Sequence, residues 1–206
     1  MNGKRGLIVA IDGLAGSGKS TTAKLVAKRL GYMHIDTGAM YRAVALKMLR
    51  SGIEIADTAA IEEMLRDTTV SEREVDGHTV VLLDDEDVTN EIRTPEISLW
   101  VGPVSEHALV REHLVSWQRE LGKQGGVVLE GRDIGTVVFP HADLKIYMVA
   151  DLKTRAKRRR KEMLTRGIDQ SPTDVELALA DRDIRACRTP DLPADWRFAI
   201  AYNAAL

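Results

Sequence analysis

The chain reads as apolar runs alternating with helical patterns. Leu7-Ile8-Val9-Ala10-Ile11 is apolar without alternation and is closed by Asp12, which predicts a strand buried on both faces. A glycine-rich turn follows, then a helical pattern from Lys19 to Leu30 with Leu25, Val26 and Leu30 on one side, stopped by Gly31. Tyr32 to Ile35 predicts a second strand, and the stretch from about Ala39 to Arg50 a helix ending at Gly52. Ile61, Met64 and Leu65 mark a short helix. Pro95 suits a helix start, and Pro103 interrupts or kinks that helix before a longer one that stops at Gly122. Val127 to Leu129 and Leu144 to Val149 are two more strands, followed by helices over Lys153–Arg166 and Thr173–Arg185. Strands alternating with helices predict a mostly parallel, three-layer α/β sheet.

Residues 69–90 break this rhythm. Val70 to Val75, an Asp76-Gly77 turn and Thr79 to Leu83 predict a β-hairpin. The acidic stretch Asp84-Asp85-Glu86-Asp87 then reads as a solvated turn, since no glycine-spaced calcium-loop pattern surrounds it. An antiparallel element inside a β-α chain is read as an inserted subdomain.

Composition narrows the class. With 206 residues, 44% apolar and 29% charged, the chain has enough apolar material for a real core and is neither disordered nor fibrous. A formal charge of -2 argues against a protein that coats nucleic acid. Cys187 is the single cysteine, which excludes a disulfide framework and a cysteine-cluster zinc site. No apolar run approaches a membrane span, and Leu7–Ile11 is too short for a secretory segment, so a cytoplasmic protein without membrane or nucleic-acid partners is expected.

Gly13-Leu14-Ala15-Gly16-Ser17-Gly18-Lys19-Ser20 matches G-x-x-x-x-G-K-[ST], between a predicted strand and a predicted helix. Each residue type has a reason. Glycines let the backbone curl so that N–H groups point at phosphate oxygens, and the helix N-terminus adds positive dipole. Lys19 brings a mobile charge to the β and γ phosphates, and the Ser20 hydroxyl is the expected Mg²⁺ ligand. Neither the Asn-Lys-x-Asp nor the Asp-x-x-Gly motif of a GTPase switch is present. Val127-Val128-Leu129-Glu130 imitates the acidic strand end of an ATP-driven motor, but Gly131-Arg132-Asp133 directly after it does not suit one.

A second phosphate site is suggested on the acceptor side. His34-Ile35-Asp36-Thr37-Gly38-Ala39-Met40-Tyr41-Arg42 follows the second strand, at the carboxyl edge of the predicted sheet. Tyr41 and Arg42 offer a hydroxyl and a guanidinium at a helix start, and Asp36 is a candidate for holding a Mg²⁺-bound water. His34 reads as structural, a lone strand histidine without metal-spaced partners. Gly131-Arg132-Asp133-Ile134-Gly135 ends another strand at the same edge, a poor core element and a plausible ligand site.

Four segments together resemble the bacterial cytidylate kinase family: 35–42, Glu91-Ile92-Arg93-Thr94, the run Glu130-Gly131-Arg132-Asp133-Ile134-Gly135-Thr136-Val137-Val138-Phe139-Pro140, and 155–163. The likeness runs from about Leu7 to Arg185. It implies a P-loop fold with an inserted hairpin subdomain for monophosphate binding and a helical lid, acting in pyrimidine nucleotide metabolism. It implies ATP as phosphoryl donor with Mg²⁺, CMP and dCMP as acceptors, and a monomer. Gly13 to Thr21 would bind ATP, and Tyr41, Arg42 and Arg132 the CMP phosphate, with Asp36 and Thr37 beside them. Arg111 and Asp133 would read the cytosine. Arg158 would contact ATP from a mobile lid, and Arg182 the phosphates or ribose, so Lys19, Arg132, Arg158 and Arg182 are the expected catalytic residues, with Arg188 a further substrate contact.

In that reading 1–206 is one domain: 1–38 and 123–150 a P-loop core, 39–122 the CMP-binding region, 151–185 the lid and 186–206 an atypical tail. Of the basic run Lys153, Arg155, Lys157, Arg158, Arg159, Arg160, Lys161 and Arg166, two or three residues are expected to face phosphates and the rest solvent. The likeness weakens after Arg185. Ala186 stands where the family has a ribose-binding aspartate, Arg188 is one place early, and Gly102 replaces a cytosine-contacting serine. Phe198 to Tyr202 imitates a last strand, but the family's closing helix is not legible. A kinase for another nucleoside monophosphate stays open as an alternative, and the altered tail keeps open a nucleotide-binding P-loop protein with impaired turnover.

Overall fold

β1 (Ile8–Gly13) is buried along its whole length, as an unbroken apolar run requires of a central strand. In the computed structural model, which describes residues 5–76, 78–165 and 167–187 with side chains as far as 184, β1 is flanked on both sides by parallel partners. It pairs with β6 (Val127–Gly131), Ile11 opposite Glu130, and with β7 (Leu144–Met148), Ile11 opposite Ile146. β2 (Met33–Asp36) lies beyond β6, giving the order β2-β6-β1-β7. The register brings Gly13, Gly131 and Met148 to one edge of the sheet.

The chain forms two units, residues 1–34 with 125–206, and residues 35–124; the boundary falls inside β2. In the first unit, α1 (Lys19–Leu30) buries Ala23 and Ala27 against Val9, Ile11 and Val128. Of the three residues that the apolar pattern puts on one side, Val26 packs against this core, but Leu25 and Leu30 are 56% and 47% exposed. Small side chains let the helix axis approach the sheet closely, and the flanking Val26 and Tyr32 complete the contact. Gly31, at φ 66°, closes α1 with its N–H on the Ala27 and Lys28 carbonyls. α6 (Leu152–Leu164) and α7 (Pro172–Cys187) pack through Ala156, Val175 and Leu179, with Ala15 and Met163 against them.

In the second unit, α2 (Thr37–Arg50) starts earlier than its apolar pattern because the Asp36 carboxylate accepts the Ala39 N–H at 3.0 Å. α3 (Thr58–Arg66) is capped in the same way by Asp57. β3 (Val70–Val75) and β4 (His78–Leu83) form the expected hairpin. The acidic stretch is not only a turn. Asp84 and Asp85 adopt φ of 49° and 67°, so the chain doubles back and β5 (Glu86–Asp87) pairs with β4. Lys47 holds Asp84 at 2.6 Å. A 3₁₀ turn at Glu91–Arg93 leads into α4 (Pro95–Glu106), which carries Pro103 inside it, and α5 (Ala108–Gly122) follows. Arg188 and the segment Phe198 to Tyr202 lie outside the described residues, and Ala186 falls in the last turn of α7.

Candidate active site

The phosphate loop lies between β1 and α1. Gly13 has φ 147°, and a Cβ there would sit 2.3 Å from the Met148 carbonyl oxygen, so only glycine lets β1 turn away beside β7. Gly18, at φ 102°, precedes α1 and provides no side-chain cap, which leaves the helix N-terminus without a side-chain acceptor of its own. Ser17 Oγ is buried with no hydrogen-bond partner among the described residues. A hydroxyl in that position at an uncapped helix end suits an oxyanion ligand. Lys19 Nζ donates to the Leu14 carbonyl at 2.7 Å, which holds its charge over the loop.

Two arginines of α6 reach the same loop. Arg158 Nη1 donates to the Gly16 and Ser17 carbonyls at 3.2 and 3.1 Å. Arg155 is fully buried; its Nη1 donates to Ala15 O at 3.4 Å, its Nε to Ala150 O at 2.9 Å, and its Nη2 to Asp183 at 2.6 Å. Asp183 is itself fully buried, on the neighbouring α7. The basic run therefore divides three ways, into a loop contact, a buried structural arginine and solvated charges such as the half-exposed Arg159. Arg155 and Asp183 were invisible as a pair because nothing local marks one arginine in such a run as buried.

At the end of β6 a single π turn, Ile134–Val138, follows Arg132 and Asp133. The buried Asp12 carboxylate holds it, accepting the Ile134 and Gly135 N–H groups at 2.9 and 2.8 Å. Burial pushes the Asp12 acid up to about 6, although those two N–H bonds and the Lys19 charge pull it down. Burial also lowers Arg132 from its ordinary value, opposed by Asp183, Tyr147 and Asp133. The signal for Asp12 was present as a charged residue closing an apolar strand. Glu130 is likewise buried; it accepts Ser20 Oγ–H at 2.6 Å and contacts His34 Nε2 at 3.0 Å. His34 thus has a carboxylate partner that its strand pattern did not reveal.

The acceptor-side residues Asp36, Thr37, Tyr41, Arg42 and Arg111 belong to the second unit. The Asp36 carboxylate caps α2 and also accepts from Arg42 Nη2 at 3.4 Å. Arg42 Nε is buried and has no hydrogen-bond partner among the described residues, a donor left for an anion. Thr37 is buried in the first turn of α2. Arg111 lies in the first turn of α5 and is partly buried. The phosphate loop, Arg132, Asp133, Arg158 and Arg182 belong to the first unit. Among the described residues no cluster of three or more His, Cys, Asp or Glu forms a metal site, and no helix is long and apolar enough to cross a membrane.

A glycine-curled loop between a buried strand and an uncapped helix, carrying a lysine and an arginine from a second helix, defines a P-loop protein that handles nucleotide phosphates. The family model described as Cytidylate kinase matches residues 9–189. The chain belongs to the cytidylate kinase family. It is 50% identical over 183 residues to the cytidylate kinase of Symbiobacterium thermophilum, covering 88% of this chain and 81% of that one. It is 53% identical over 161 residues to that of Caldicellulosiruptor bescii, 78% and 71% of the two chains. It is 48% identical over 190 residues to that of Pelotomaculum thermopropionicum, 90% and 84%.

Proposed function

We propose that this chain transfers the γ-phosphoryl group of ATP to CMP and dCMP, giving CDP or dCDP and ADP, as a cytoplasmic monomer. The observation that carries this is the phosphate loop with Lys19 and Arg158 laid on it, in a chain of the cytidylate kinase family. A phosphate oxygen of CMP attacks the γ-phosphorus while the bond to the β–γ bridging oxygen breaks and the leaving charge stays on ADP. The nucleophile is already anionic, so no general base is needed; positioning and charge stabilisation carry the rate.

The loop amides of 13–21 hold the donor phosphates, with Lys19 and Arg158 on the transferring group and Arg182 assisting. Ser17 Oγ is a further phosphate contact; its buried, unpartnered oxygen supports this. Tyr41, Arg42 and Arg132 hold the CMP phosphate, Arg111 and Asp133 read the base, and Arg188 is a further contact. Asp36 acts here by orienting Arg42, since its carboxylate already serves the helix cap and that guanidinium. Ser20 Oγ would hold Mg²⁺, which when bound neutralises charge on the β and γ phosphates. The hydroxyl fits that task because its proton is committed to Glu130 and its lone pairs remain.

The test is an ADP-release assay coupled to a dehydrogenase, run with CMP, dCMP, UMP and AMP in turn. Turnover with CMP and dCMP well above UMP and AMP is expected. A preference for another monophosphate would reassign the acceptor, and ADP release without any acceptor dependence would make the chain a hydrolase.

A further inference from the structure

Ser20, Glu130 and His34 form a hydrogen-bonded chain within the first unit. Ser20 stands in the first turn of α1, Glu130 near the end of β6 and His34 on β2, the strand next to β6 in the sheet order. Ser20 Oγ and Glu130 Oε2 are 2.6 Å apart, the length of a hydroxyl donating to a charged carboxylate. Glu130 Oε1 lies 3.0 Å from His34 Nε2. The two side chains of the second contact are 11% and 4% exposed, so water does little to hold either in place.

The chemistry of each group gives the chain a direction. A serine hydroxyl has one proton and two lone pairs. With the proton committed to Glu130, the oxygen offers only lone pairs to whatever lies on its other side. A cation coordinates such an oxygen and is repelled by a hydroxyl that points its proton outward. The carboxylate enforces this only while its plane is fixed, and the terminal torsion of a glutamate is soft. His34 removes that freedom by occupying Oε1. With Glu130 accepting at both oxygens, the proton of the second contact is on Nε2, which fixes the tautomer of the ring.

We propose that His34 and Glu130 are positioning residues that orient the Ser20 hydroxyl as a lone-pair donor to Mg²⁺, so that the strand histidine sets the metal dependence of ATP binding. The proposal rests on the reading of Ser20 as the cation ligand. It also explains why a histidine on an edge strand is paired to a buried acid instead of being left to solvent.

Two direct measurements test it without turnover. ATP affinity is measured by calorimetry with Mg²⁺ and again with the metal chelated, and Mn²⁺ occupancy of the ATP complex is measured by electron paramagnetic resonance. The variants are His34→Leu, His34→Asn, His34→Gln and Ser20→Ala. Glutamine can place an amide N–H where Nε2 stands, whereas asparagine is too short and leucine has no donor. His34→Leu and His34→Asn are expected to leave metal-free ATP binding unchanged and to reduce the gain from metal about tenfold. His34→Gln is expected to retain most of that gain, and Ser20→Ala to lose it. Equal losses in Leu, Asn and Gln variants would mean that the ring only fills space, and would overturn the proposal. So would an unchanged metal gain in His34→Leu or His34→Asn while Ser20→Ala loses it. If Ser20→Ala itself keeps the full gain, the reading of Ser20 as ligand falls, and the proposal falls with it.

Discussion

Replacing Asp183 by asparagine removes one charge from an ion pair that has no access to water. Both side chains are 0% exposed and their closest atoms are 2.6 Å apart. In the variant the Arg155 guanidinium remains buried, held by the Ala150 and Ala15 carbonyls and at most a neutral amide oxygen in place of the carboxylate. Breaking a buried pair by removing one partner costs about 3–5 kcal/mol, and the lower end is expected because asparagine preserves the shape and one acceptor. For a chain of this size each kcal/mol moves Tm by about 2–4 °C, so the variant should melt roughly 6–12 °C lower. Urea unfolding followed by circular dichroism supplies the free energy. The double variant with Arg155→Met should lose less than the sum of the two single losses, because the orphaned Arg155 charge is gone. The effect should also reach function, since Arg155 bonds the carbonyl of Ala15 and Ala15 packs against the α6–α7 contact. KM for ATP should rise more than KM for CMP. A loss below about 1 kcal/mol, or strict additivity in the double variant, would refute the reasoning.

Other outcomes follow from the site. Lys19→Ala should lower turnover at least about a hundredfold while shifting stability by only about 1 kcal/mol, the scale of its hydrogen bond to Leu14; steady-state kinetics beside a melting curve check both. Arg42→Ala and Arg132→Ala should each raise KM for CMP about tenfold or more and KM for ATP little; equal effects on both would move them out of the acceptor site. Asp12, pushed up to about 6 from 3.8, binds a proton more tightly when folded, so its contribution is largest below pH 4 and is lost as pH rises through 6. Relative to Asp12→Asn, the wild type should therefore lose about 2 kcal/mol between pH 4 and pH 6.5; a flat difference in unfolding free energy would contradict the assignment.

The sequence pattern revealed what depends on neighbours along the chain. The apolar run of β1, the Asp-Gly turn of the hairpin and the phosphate loop each carry their signal within a few residues, and each is present in the fold. Long-range polar pairing was not legible. Asp12 meets Ile134, His34 meets Glu130 and Arg155 meets Asp183 across 122, 96 and 28 positions, and no local period marks such partners. The face of α1 is only partly legible for a related reason. Apolarity picks out Leu25, Val26 and Leu30; Val26 does pack against the core, whereas Leu25 and Leu30 are exposed and close approach to the sheet selects Ala23 and Ala27. β5 was hidden because its two residues are acidic and its pairing depends on the left-handed turn at Asp84 and Asp85.

The central claim is that the phosphoryl group leaving ATP arrives on CMP, and product stoichiometry tests it most directly. The protein is mixed with MgATP and CMP, the reaction is quenched, and CDP and ADP are quantified by anion-exchange chromatography. The account predicts CDP and ADP in a one-to-one ratio, no inorganic phosphate, and loss of both products in Lys19→Ala. ADP accompanied by inorganic phosphate in place of CDP would contradict it.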